Sequence, residues 1–166
     1  MTSVIRSKSR GFQRGRGGSE RHDPYRIDAK LAGPGCCPGC GAVYLAGRWS
    51  WRRRPSGARG IECPACARIR ERCPAGILRL EGDLGTRRDE LLGLVRNVEE
   101  RERLQHPLER VIAIRARRGG LVVETTGVHL ARRITDALER AFHCAAELDF
   151  APGEELLRAR WTAPEA

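Results

Sequence analysis

The chain has 166 residues, of which 40% are hydrophobic, with a formal net charge of +10 and seven cysteines. That length fits a modest domain beside a small module, and no apolar run is long enough to cross a membrane as a helix. The opening MTSVIRSKSRGFQRGRGG has charge but no apolar core segment, so no secretory signal is expected, and a cytoplasmic location follows by default.

In chain order, residues 1–35 are poor in apolar side chains and rich in Gly, Arg and Ser, which predicts a flexible basic tail. Tyr25 and Ile27, within HDPYRI, are where such a tail can anchor on a neighbour.

Residues 36–82 form a cysteine module. CPGC at 37–40 and CPAC at 63–66 are separated by 22 residues. Zinc takes four thiolates in a tetrahedron, and two C-x-x-C turns supply them from two chain reversals. Cys37, Cys40, Cys63 and Cys66 are therefore expected to hold one structural zinc per chain in a treble-strand-type zinc ribbon. A thioredoxin-type dithiol needs a single such motif in a βαβ unit. Iron is the other metal for a four-thiolate shell, but electron carriers rarely set a strongly basic loop beside the cluster. Cys36 offers a slipped register for Cys37, Cys73 lacks a partner, and Cys144 reads as a small buried residue. His22, His106, His129 and His143 show no ligand spacing with one another. AVYLAG at 42–47 reads as a strand, and ILRLEG at 77–82 alternates as an edge strand does.

Between the two cysteine pairs lies GRWSWRRR. Arg48, Arg52, Arg53, Arg54 and Arg59 suit phosphate oxygens. Trp49 and Trp51 share a face if the segment is extended and can stack unpaired bases. The other use for either tryptophan is to roof the small ribbon core. Residues 33–80 carry nine arginines against Glu62 and Glu71, whereas residues 81–166 carry fourteen basic against sixteen acidic groups. A polyanion would be held by the first half.

Residues 83–166 predict a small α+β domain. A helix over about 87–105, with Thr86 as N-cap, presents Leu91, Leu94, Val95 and Val98 as one stripe. LERVIAIRA and LVVETT flank RRGG as a hairpin. A second helix over about 128–143 is followed by a second hairpin, AELDFA with ELLRARW. The order α-ββ-α-ββ predicts helices on one face of an antiparallel sheet. Glu99–Glu100 and Glu154–Glu155 read as solvated faces. No phosphate-binding loop, nucleophile elbow or H-E-x-x-H motif occurs, so neither an enzyme nor a small-molecule substrate is expected.

HDPY, CPGCGAVYLAGRWSW, CPAC, RNVEERERLQHPLERVIAI and TTGVHLARRITDALERAF together resemble a small bacterial family of largely uncharacterised zinc-ribbon proteins. More distantly, a ribbon followed by an α/β domain is similar to the N-terminal half of the large-ribosomal-subunit nuclear export adaptor and its archaeal relatives. That adaptor has more C-x-x-C pairs, and its later barrel domains have no counterpart here. The resemblance implies contact with RNA or a ribosomal particle. The leading expectation is a non-enzymatic RNA-binding protein. The alternatives are a DNA-binding or transcription-associated ribbon, and an adaptor that binds a protein partner through residues 83–166.

Overall fold

The computed structural model describes Tyr25, residues 33–150 and residues 155–164. Apart from Tyr25 and residues 33–35, the expected tail lies outside them, as does Ile27. Among the described residues no helix is long and apolar enough to cross a membrane. Those residues form an α+β fold, with three α-helices and two mixed sheets among them.

The first sheet has four short strands, β1 (Gly35–Cys36), β2 (Val43–Leu45), β3 (Arg48–Ser50) and β4 (Arg59–Gly60), in the order β3-β2-β1-β4. The pairs β1–β2 and β2–β3 are antiparallel, and β1–β4 is parallel. The predicted strand at 42–47 is cut short because Ala46 and Gly47 both take positive φ (50° and 82°). That geometry reverses the chain into β3, in the manner of a two-residue hairpin turn. Arg48, Trp49 and Ser50 of GRWSWRRR are thus a strand, with Trp49 opposite Tyr44.

Sequence reading missed the helix α1 (Pro64–Glu71), which begins inside the second cysteine motif. Cys63 is its N-cap and Pro64 its first residue, where a fixed φ suits a helix and no N–H is required. The ring of Tyr25 lies over the buried Arg68 of this helix, 4.3 Å from the guanidinium carbon, and its hydroxyl donates to Glu71 at 2.5 Å. Tyr25 is therefore the anchor that HDPYRI suggested.

The second sheet has five strands: β5 (Gly76–Glu81), β6 (Val111–Arg117), β7 (Gly120–Thr125), β8 (Ala146–Phe150) and β9 (Leu157–Thr162). Their order is β6-β7-β5-β9-β8. Two expectations are corrected here. The segment at 77–82 is the central strand and not an edge, antiparallel to β7 and parallel to β9. The sheet is accordingly mixed and not antiparallel. Alternation reported which faces are covered, not the strand's place in the sheet: Leu78 and Leu80 are 1% exposed, while Arg79 between them is exposed. Both predicted hairpins, β6–β7 and β8–β9, form.

Helices α2 (Arg88–Gln105) and α3 (Val128–Phe142) pack against each other, and α3 lies on β5, β7 and β9. The core between them and the sheet includes Leu78, Leu80, Leu91, Val95, Val123, Leu130, Ile134, Leu138, Leu157 and Trp161. Truncating one such leucine to alanine costs about 2–5 kcal/mol. Thr86 is not the cap of α2. It sits in a 3-10 turn, Gly85–Arg87, and among the described residues no side chain caps the helix that follows. Glu99 is not a solvated charge either, because its carboxylate accepts the N–H of Val111 at 2.7 Å and fixes the start of β6. Gly120 is demanded by packing, since a Cβ there would overlap the carbonyl of Leu80 on β5.

Candidate metal centre

The four predicted cysteines come together. The Sγ atoms of Cys37, Cys40, Cys63 and Cys66 all lie within 4.8 Å of one another, a set that can hold a metal ion. The slipped register is not adopted: Cys36 faces away, with its Sγ 3.9 Å from the Gly41 carbonyl. Cys73 and Cys144 are also apart from the cluster, and Cys144 is half-buried at the edge of the sheet core.

Each pair is presented by a different local device. Cys37 and Cys40 come from the turn after β1, closed by hydrogen bonds from Cys37 N–H to Ala42 O (2.8 Å) and from Gly41 N–H to Cys37 O (2.9 Å). Gly39 passes directly beneath the cluster, where a Cβ would stand 3.1 Å from Cys66 Sγ. Cys63 and Cys66 come from the first turn of α1, not from a second simple reversal. The helix N-terminus directs amide hydrogens and the positive end of its dipole at sulfur, which favours thiolates. The N–H of Cys66 donates to Cys63 Sγ at 3.4 Å, and the N–H of Cys63 to Cys37 Sγ at 3.3 Å. Burial opposes ionisation of Cys37, but the amides of Cys63, Cys40 and Gly39 outweigh it and bring that thiol down to about 7. Burial pushes the Cys63 thiol up, and the neighbouring sulfurs push it further.

Arg110, which sequence reading did not single out, completes the centre. It lies between α2 and β6, yet its guanidinium reaches Cys66 Sγ at 2.8 Å and lies 4.0 Å from Cys63 Sγ. It is 8% exposed, and its Nε has no partner among the described residues. Its backbone is held as firmly: the N–H of Arg110 donates to Thr126 Oγ1 at 2.8 Å, and the N–H of Thr126 to Arg110 O at 2.8 Å. A buried guanidinium stays charged and needs an anionic partner. The partners here are the sulfurs of Cys66 and Cys63, which would satisfy it as thiolates, the form that the burial of both opposes. Several thiolates this close repel one another strongly unless a cation lies among them. The donor set therefore fits a metal ion on the structure's own chemistry, independently of the C-x-x-C spacing. The signal in sequence was only an arginine next to a strand, which any surface residue can supply.

The arginine-rich loop is divided by the fold. Trp49 is 9% exposed and packs on Tyr44, with ring centroids 5.4 Å apart, in a core that includes Cys37, Ala42, Cys63 and Ala65. Its place is the roof of the ribbon and not an outer face shared with Trp51. Trp51 is 37% exposed and donates its indole N–H to the Arg103 carbonyl near the end of α2, at 2.5 Å. It borders a groove of about 580 Å³ lined by Arg96, Glu99, Glu100, Arg103 and Leu104. Arg48, Arg52, Arg53, Arg54 and Arg59 are all exposed, and Arg54 donates to Ala58 O at 2.8 Å.

Compared with known proteins, the chain matches no family model, no curated protein and no solved structure.

Proposed function

We propose that the chain is a cytoplasmic, non-enzymatic zinc-ribbon protein that binds RNA, in association with ribosomal particles, through the arginine loop that the metal centre braces. The observation that carries this reading is the placement of the five exposed arginines between two cysteine pairs that converge on one point. A metal at that point braces both ends of the loop, so its charges are presented with only a small core beneath them. Zinc is the metal of choice, because four thiolates suit its tetrahedral preference. Four thiolates also close the shell and leave no position for a substrate, which makes the zinc structural. The charge asymmetry of the chain supports a polyanionic partner for this half. Trp51 keeps part of its ring open beside Arg103, whose guanidinium carbon is 5.7 Å from the ring centroid, an arrangement able to take an unpaired base.

Binding of single-stranded RNA by the wild type and by the triple variant Arg52→Ala, Arg53→Ala, Arg54→Ala, measured across a salt series, tests the reading. The variant should weaken all RNA sequences alike and lower the log–log salt slope by about 2, at about 0.7 per phosphate contact. Its melting temperature should stay close to wild type. An unchanged slope removes the loop from the interface, and a preference for duplex DNA replaces this reading with the transcription-associated one.

A further inference from the structure

A second set of metal-ligating side chains lies outside the cysteine centre. Sequence spacing gave no hint of it, because His106 and His129 are on different elements. Glu102 and His106 stand four residues apart, in the last turn of α2 and just beyond it, which aligns them along one face. His129 is in the first turn of α3. The packing of α2 on α3 brings the three together, with one donor atom of each within 4.8 Å of the others. The two imidazole rings meet edge to face, with centroids 5.6 Å apart.

The carboxylate is held from behind. Glu102 takes Arg133 Nε on one oxygen at 2.8 Å and His129 Nε2 on the other at 2.9 Å, and its side chain is 11% exposed. A carboxylate clamped through one oxygen presents the other in a defined direction, as outer partners do for metal-bound carboxylates. Both imidazoles favour the ionised form of the nearby Glu109 against the effect of its burial, while its Oε2 accepts the N–H of Leu130 at 2.8 Å. The His106 and His129 side chains are exposed, so an ion can enter from solvent.

We infer that Glu102, His106 and His129 form an open binding site for a divalent transition-metal ion, distinct from the closed cysteine centre. Two imidazoles and one carboxylate suit borderline ions such as zinc, nickel or copper, and three protein ligands leave a coordination position for water or a further ligand. At bond lengths of about 2.0–2.2 Å, donor atoms around a tetrahedral ion are about 3.4 Å apart. The three donors already lie within 4.8 Å of one another, and His129 would exchange its hydrogen bond to Glu102, now 2.9 Å, for the ion.

The experiment uses untagged full-length protein already carrying one equivalent of zinc, verified by elemental analysis, and titrates it with Ni²⁺ by calorimetry. One further equivalent should bind. His106→Ala and His129→Ala should each weaken it by about tenfold or more, a loss at least as large as that from an outer-shell partner. Both residues are at the surface, so melting temperatures should hold. His129→Gln, which keeps the side chain polar, should fail as His129→Ala does. Ni²⁺ should also broaden the imidazole resonances of His106 and His129 ahead of those of His22 and His143. Absence of a second equivalent overturns the site, and so does a second equivalent indifferent to both histidine variants. The zinc assay beforehand separates failure here from failure of the cysteine centre.

Discussion

Arg110 shows how one residue can join two cores. Its guanidinium lies against Cys66 while its backbone is tied to Thr126, the residue just after β7. Four thiolates around zinc carry a formal excess of two negative charges, and a buried arginine beside them offsets part of it. Arg110→Ala should therefore weaken metal retention, raising the rate of zinc loss to a chelator by about tenfold, the lower end of what outer-shell partners contribute. Arg110→Lys should rescue it only in part, since a point charge on a flexible stem replaces a planar fork. Zinc release monitored with a chromogenic chelator checks this. Retention unchanged in Arg110→Ala would show that the guanidinium is carried by packing alone.

At the scale of elements, the two tryptophans of the arginine loop separate. Trp49 is a cross-strand partner of Tyr44 inside the ribbon, and large-to-small truncation of such an aromatic costs about 3–5 kcal/mol. Trp51 ties the loop to α2 through one hydrogen bond to a carbonyl near the helix end, which is worth about 0.5–1.5 kcal/mol. Trp49→Ala should therefore lower the melting temperature and zinc retention markedly. Trp51→Ala should melt near wild type and lose RNA affinity by about 1–3 kcal/mol with the salt slope intact, because stacking displaces no counterions. Equal melting losses in the two variants would mean that Trp51 is core as well. The period-two spacing of the two residues was legible. That β3 ends at Ser50, leaving Trp51 free to turn toward α2, depended on a helix distant in sequence.

For the whole molecule, the two hydrophobic clusters predict separable stability. One gathers around the cysteines and the other lies between the helices and the five-stranded sheet. Metal affinity at a four-cysteine site is folding energy for the part it organises. Cys63→Ser should abolish zinc binding at the cysteine centre and unfold the ribbon while most of the helical circular dichroism survives, because α2 and α3 belong to the other core. Amide exchange should localise the loss to residues 35–75, with spread into 107–110, since Leu108 packs on the ribbon cluster. Full zinc occupancy when Cys63→Ser is combined with His106→Ala and His129→Ala, by elemental analysis, would remove Cys63 from the ligand set.

What the sequence determined by itself was whatever is written in local spacing. The four cysteines, the apolar stripe of α2, the helix at 128–142 and both hairpins follow from periods and turn residues that neighbouring positions enforce. Tertiary structure alone decided the rest, because those features join groups far apart in the chain. The central place of β5 depends on a parallel strand about eighty residues later. The contact of Arg110 with the cysteine pair of α1 spans more than forty residues. The meeting of Glu102 and His106 with His129 arises only where α2 lies on α3. Alternation shows which face a strand buries, and i to i+4 spacing shows which side chains share a helix face. Neither encodes which strand or helix will lie alongside, since that is settled by how whole apolar faces pack.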